Sequence, residues 1–247
     1  MAASPPTLVF VHGFLGFDRL SLPFCEVPYF RGLEKLLRRL AVPYLIPAVP
    51  PAGRVAERAE VLSRHLSNSA SGTFVLVGHS MGGLDSRYLV RHFDPNHRVR
   101  AVITLGTPHR GSSVAEWVLS TDGPLQAFCR RRWKFAIEDL TPETCRRRNE
   151  TLVDRDDVHY ISYAGERALE QLPFWLRPLG RVVFRQEGVN DGLVALSSAR
   201  WGEFRGSLPA SHIELVGWSL SLSAAMGGHR FDHLDLYRKL VGEFDRN

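Results

Sequence analysis

Lysine is nearly missing from this sequence: Lys35, Lys134 and Lys239 are the only ones among 247 residues, so almost all of the 31 basic side chains are arginine. Cysteine is scarce too. Cys25, Cys129 and Cys145 are odd in number and widely spaced, which excludes a disulfide framework and any common zinc-ligand spacing and leaves a Cys129–Cys145 bridge as the one pairing to consider. No apolar run approaches the roughly 18 to 20 residues needed to cross a bilayer; near the start, Leu8–Val11 is cut short by His12 and Gly13. With no transmembrane segment or signal peptide read from the chain, the expected compartment is the cytoplasm. Repeats and low-complexity linkers are also lacking, and the 44% apolar and 23% charged composition excludes disorder, collagen and coiled coil. One domain spanning 1–247 accounts for this length.

The net charge is only +5, but two arginine triplets stand out, Arg130–Arg132 and Arg146–Arg148. They read as solvated helix faces, with a patch for anionic lipid or nucleic acid as the functional alternative. No nucleic-acid module signature accompanies them, so no nucleic-acid partner is expected.

Apolar runs of strand length alternate with stretches of helical period, the pattern of an α/β fold with a mostly parallel sheet and helices on both faces. Strands are expected at Thr7–Val11, Tyr44–Ile46, Thr73–Val77, Val99–Leu105, His159–Ala164 and Val182–Arg185. Leucines at 33, 36, 37 and 40 predict one amphipathic helix, Val55, Ala59, Leu62 and Leu66 a second, Leu84, Tyr88 and Leu89 a third, and Leu234–Phe244 the last. The alternation breaks over 112–158, where Trp117, Phe128, Trp133 and Phe135 mark a helical cap or lid insertion over the sheet.

Chemistry enters at Gly78-His79-Ser80-Met81-Gly82, a G-x-S-x-G between an apolar strand and a helix. A sharp strand-to-helix turn exposes Ser80 Oγ at the strand's carboxyl end, and the helix N-terminus behind it favours negative charge there, with Met81 N–H as one oxyanion donor. A serine hydroxyl needs a base and an orienting acid. The expected chain order of serine, acid, histidine selects Asp191, in Asn190-Asp191-Gly192, and then one of His212, His229 or His233. His233 is favoured because it opens the last helix. The second oxyanion donor is expected from Phe14 N–H in Val11-His12-Gly13-Phe14, since a tetrahedral intermediate needs two N–H groups aimed at its oxygen.

These residues resemble the bacterial triacylglycerol lipases of the α/β-hydrolase fold. The resemblance is carried by His12-Gly13-Phe14-Leu15-Gly16-Phe17-Asp18, the elbow through Gly83, Gly106-Thr107-Pro108-His109-Arg110-Gly111-Ser112, Asn190-Asp191-Gly192-Leu193-Val194 and His233-Leu234-Asp235, in that order along the chain. It implies a serine carboxylic ester hydrolase with the triad Ser80, Asp191 and His233 and the oxyanion donors Phe14 and Met81. Several members also hold calcium through two aspartates; Asp235 matches one, but 166–190 contains no aspartate for the other, so no metal and no cofactor are expected. Trp117, Leu119, Phe128, Trp133, Phe135, Phe174, Trp175 and Leu176 are expected either to pack as an ordinary cap or to form an apolar lid or acyl channel. The expected substrate is a medium or long acyl ester, handled by a monomer with transient contact at a lipid interface. A short-chain esterase or acyltransferase on the same groups, or a non-catalytic binding protein, are the alternatives.

Overall fold

The computed structural model describes residues 5–22, 25–219 and 231–244, with the backbone alone for 19–22 and 25–26. Its centre is a six-stranded parallel sheet in the order β4-β1-β5-β6-β7-β8, made of β1 (Thr7–Val11), β4 (Tyr44–Leu45), β5 (Phe74–His79), β6 (Val99–Leu105), β7 (His159–Gly165) and β8 (Glu203–Leu208). A separate antiparallel hairpin joins β2 (Arg19–Leu22) to β3 (Cys25–Pro28).

The period-2 alternation of a strand sorts the apolar residues onto two faces. From β1, Leu8 and Phe10 join Val75 and Val77 of β5 in one core, under α1 (Leu33–Leu40) and the last helix, α9 (His233–Phe244). Val9 and Val11 face the other way with Phe74 and Leu76, under α2 (Val55–Ser67) and α3 (Met81–His92). Both cores draw on one strand, so a one-residue slip would exchange every contact.

Between β6 and β7 lie α4 (Ser113–Ser120), α5 (Pro124–Glu138) and α6 (Pro142–Thr151), in the segment where the alternation broke down. This segment is tied to α2: Asp139 Oδ2 accepts the Val55 N–H at 2.7 Å, taking up one of the donors a helix N-terminus leaves free. The Cys129–Cys145 bridge is not formed. Both thiols are free, Cys145 buried and Cys129 on a cavity wall.

One expected strand is corrected. Val182–Arg185 lies inside a helix, α7 (Arg177–Glu187), begun by Pro178 in its first turn and burying only Gly180 and Val183. The sixth strand is instead β8, which no apolar run announced because its residues alternate between exposed and half-buried. A short helix, α8 (Leu196–Ala199), precedes it.

Candidate active site

The elbow is built as its sequence requires. Ser80 has φ 54° and ψ −128°, a conformation that costs a non-glycine residue roughly 1–3 kcal/mol. Two bonds hold it there: Ser80 N–H donates to the Leu105 carbonyl at 3.0 Å, and Thr107 Oγ1 donates to the Ser80 carbonyl at 2.8 Å. Met81 opens α3, so its N–H has no acceptor within the helix.

The loop after β1 reaches over Ser80. A Cβ on Gly13 would come within 2.7 Å of Ser80 Cβ and 3.2 Å of Ser80 Oγ, so no larger residue fits. Gly13 gives its N–H to the Tyr29 hydroxyl (3.2 Å) and Leu15 gives its N–H to the Pro51 carbonyl (2.7 Å). Phe14, between them, gives its N–H to no backbone carbonyl among the described residues. The loop is braced from below by Arg58, whose Nη2 donates to the His12 carbonyl and Nη1 to the Pro50 carbonyl, each at 2.6 Å, while Nε donates to Asp85 Oδ2 at 2.8 Å. Arg58 and Asp85 are wholly buried. Burial pushes the Asp85 carboxyl up to about 6 against the pull of the guanidinium, so this pair gives geometry more than net stability.

His212, not His233, is the histidine the fold joins to Asp191. Its Nδ1–H donates to Asp191 Oδ2 at 2.7 Å, and its backbone N–H donates to the Asp191 carbonyl at 2.8 Å. The other carboxylate oxygen, Oδ1, accepts the N–H groups of Leu193 (3.0 Å) and Val194 (2.8 Å), which fixes its rotamer. Since a carboxylate only accepts, the proton sits on Nδ1 and leaves Nε2 with its lone pair. Both side chains are buried and lie beside the end of β6: a Cβ on Gly106 (φ 57°) would meet Asp191 Oδ2 at 3.0 Å and His212 Nδ1 at 3.3 Å.

His233 is placed elsewhere. Its Nε2–H donates to the Arg31 carbonyl at 2.7 Å, beside Gly217, and its ring meets Tyr237 edge-on. The physical reason is that α9 packs against α1 on one face of the sheet, far along the chain from β8, whose carboxyl end carries His212 into the site four residues later. His229 lies outside the described residues. The preference for His233 is therefore corrected, and Asp191 follows a helix rather than a strand.

His79 and Tyr29 complete the site and were not singled out from the sequence. Tyr29 Oη donates to His79 Nδ1 at 2.8 Å, and His79 Nε2–H donates to the His212 carbonyl at 2.9 Å. Burial, then the neighbouring His212, holds the His79 imidazole well below its ordinary range and therefore neutral, while burial pushes the Tyr29 phenol up to about 12.

Ser80, His79 and His212 open on one cavity of about 550 Å³, a size suited to an organic ligand. Its walls are almost wholly apolar, with Val114, Ala115 and Val118 from α4, Cys129 and Trp133 from α5, and Trp175, Ile213 and Trp218 beyond. Of the expected channel residues, Trp133 and Trp175 line it. Leu176 is buried elsewhere, while Phe128, Phe135 and Phe174 are exposed.

Among the described residues no cluster of metal-binding side chains forms at Asp235. Its carboxylate is held by Arg238 at 3.1 Å and Lys239 at 2.9 Å, and such cationic neighbours oppose a divalent ion.

Residues 59–199 match the PGAP1-like alpha/beta domain. The chain belongs to that family. It lies within the lipase branch of the α/β-hydrolase superfamily, and its enzyme class is carboxylic ester hydrolase. It is 28% identical over 242 residues to triacylglycerol lipase 2 of Saccharomyces cerevisiae, covering 90% of this chain and 74% of the relative. A triacylglycerol lipase of Pseudarthrobacter phenanthrenivorans is 32% identical over 131 residues, 49% of this chain and 40% of that protein. Among solved structures, the metagenomic carboxyl esterase MGS0156 superposes with a TM-score of 0.79 at 20% identity, covering 100% of this chain and 78% of the other, which supports the shared fold.

Proposed function

We propose that this family member is a lipase-type serine hydrolase in which Ser80, His212 and Asp191 form the triad and the N–H groups of Phe14 and Met81 the oxyanion hole. The observation that carries this reading is the 2.7 Å His212–Asp191 pair opening on the same apolar cavity as a strained nucleophile-elbow serine.

The chemistry follows from the groups. His212 Nε2 takes the Ser80 proton as Oγ attacks the acyl carbonyl, and Asp191 stabilises the imidazolium and fixes its ring. The negative charge that develops on the carbonyl oxygen is met by the Phe14 and Met81 N–H groups, which need no reorganisation. The imidazolium then protonates the departing alcohol, and water activated by the same nitrogen releases the acid from the acyl-enzyme.

The substrate reading rests on the cavity. Its apolar walls reward alkyl chain by about 0.8 kcal/mol per buried methylene, so medium or long acyl esters are favoured over acetyl esters. The names of the relatives agree with an acylglycerol substrate, and the helices of 113–151 act as a cap that keeps water from the acyl chain. Turnover on such a substrate involves transient contact with a lipid interface, by a monomer.

Two measurements test this. A fluorophosphonate should label Ser80 in the folded protein, and kcat/KM on p-nitrophenyl esters should climb about fourfold per methylene from acetyl upward until the cavity is full. A monotonic fall from acetyl to decanoyl would replace the long-chain reading with a short-chain esterase, and unlabelled Ser80 would remove the catalytic one.

A further inference from the structure

We propose that the outer surfaces of α5 and α7, the two helices packed against α4 of the cavity wall, form a docking surface for an anionic phospholipid bilayer. α5 carries Arg130, Arg131, Arg132 and Lys134 against Glu138, and α7 carries Arg177, Arg181 and Arg185 against Glu187, so these two helices together account for the whole net charge of +5. The arginine triplet of α6 differs: Arg146 and Arg147 pair with Glu143 and Glu150 of their own helix, and Arg148 with Asp139. Arg131, Arg132, Arg181 and Arg185 are exposed and pair with no described carboxylate.

Large apolar side chains are exposed on α5, one to two turns before its arginines, and just before α7. Phe174 is 73% exposed, Leu125 65% and Phe128 56%. Phe128 packs edge-on against Trp133, and Phe174 adjoins Trp175; both tryptophans line the cavity, so the exposed apolar residues adjoin its walls. Arginines around protruding aromatic and aliphatic groups complement a layer with anionic headgroups over hydrocarbon. A neutral oil droplet would use the apolar groups and leave the arginines without counter-charge. The proposal gives the lipid-substrate reading a definite partner, but its test does not depend on catalysis.

Co-sedimentation with vesicles decides it. The full chain should bind 7:3 phosphatidylcholine–phosphatidylglycerol vesicles much more strongly than pure phosphatidylcholine, with the difference shrinking as salt rises, and Ser80→Ala should bind like wild type. Each arginine contributes about fivefold near such a surface, so Arg131→Glu/Arg132→Glu should lower anionic-vesicle binding by at least tenfold, and Arg181→Glu/Arg185→Glu likewise. Phe128→Ser/Phe174→Ser should weaken binding to both vesicles; thermal unfolding midpoints near wild type would show that the variants fold. Equal binding to the two vesicles, indifference to the charge reversals, or stronger binding to duplex DNA than to anionic vesicles would each overturn it.

A separate observation concerns the reaction itself. From the hydrogen bonds around His79 we infer that Tyr29 and His79 are positioning residues that lock the three catalytic segments into one register. The His212 carbonyl can only accept, so His79 must carry its proton on Nε2 and accept from Tyr29 Oη on Nδ1. Tyr29 in turn accepts the Gly13 N–H, which leaves a continuous chain from the oxyanion loop, through the residue before the nucleophile, to the backbone of the base. These links span 16, 50 and 133 residues of sequence, and the His79 and His212 rings lie 4.6 Å apart.

This inference rests on the His212 triad, and its test separates the two. His79→Leu, which has no donor, should slow fluorophosphonate labelling and kcat by at least tenfold, while His79→Gln, whose amide N–H can reach the His212 carbonyl, should recover most of that loss; KM should move little in either. Tyr29→Phe should act in the same direction as His79→Leu. Equal rates for the Leu and Gln variants, or losses confined to KM, would overturn the positioning role while leaving the triad standing. Absence of labelling in the wild type would instead count against the triad.

Discussion

Replacing His212 with alanine should lower ester turnover by on the order of a millionfold, about as much as Ser80→Ala, while His233→Ala leaves turnover near wild type. The reasoning is geometric. Among the described residues, His212 alone both lines the cavity with Ser80 and has its Nδ1–H committed to a carboxylate, which leaves a lone pair on Nε2 able to take a proton. Because nucleophile and base act as one unit, Ser80→Ala/His212→Ala should be no slower than either single variant, with residual rate from the two oxyanion N–H groups. His233 donates to the Arg31 carbonyl between α1 and α9, so its loss should appear in unfolding, at about 0.5–1.5 kcal/mol, and not in kcat. Kinetics of the purified variants on a soluble ester decide the matter: near wild-type turnover in His212→Ala, or a collapse in His233→Ala, would restore the assignment the sequence favoured.

That reversal shows what the sequence could and could not carry. The elbow was legible because its requirements are local: a strand, a strained serine and a helix follow one another within ten residues, and β5, Ser80 and α3 stand where Gly78–Gly82 put them. The Gly13 loop was legible for the same reason. The base was not, since choosing between His212 and His233 depends on knowing which strand delivers it. β8 is an edge strand whose side chains alternate only between exposed and half-buried, so hydrophobic periodicity was nearly silent there. The β-branched pair Val182-Val183 in α7 imitated a strand just upstream, which made the last helix look like the next site-bearing element. Tyr29 and His79 had no local signature at all; their roles exist only through hydrogen bonds closed across the folded chain.

Acid should unfold this protein earlier than its carboxylates require, with stability falling as pH drops from about 6.5 toward about 4. Three histidines are buried and held neutral: His12, lowered to about 4, and His79 and His109, both well below the ordinary range, with burial the largest cause in each. His12 and His79 use both ring nitrogens as neutral imidazoles, whereas His109 pairs only through Nε2 and leaves Nδ1 without a partner among the described residues. His12 donates from Nδ1 to the Gly13 carbonyl at 2.9 Å, and His109 Nε2–H donates to Thr104 Oγ1 at 3.0 Å. When unfolded, all three take up a proton near pH 6.5, while the folded state refuses it, so below that pH the unfolded chain binds more protons and is favoured. The stability is complete above 6.5 and is lost as pH falls, at about 1.4 kcal/mol per pH unit for each histidine; Asp85, raised to about 6, takes up a proton in the folded state below that pH and offsets one of the three, which leaves about 3 kcal/mol per unit. Urea titrations at pH 6.5 and 5.0 measure this slope above the range where ordinary carboxylates titrate, and His109→Gln should flatten it by about half. A stability unchanged between those two pH values would mean that the three rings are not buried together. The consequence for function is direct, because His12 holds the Gly13 carbonyl and His79 precedes Ser80: activity lost below pH 6 should return on neutralisation only as fast as the chain refolds.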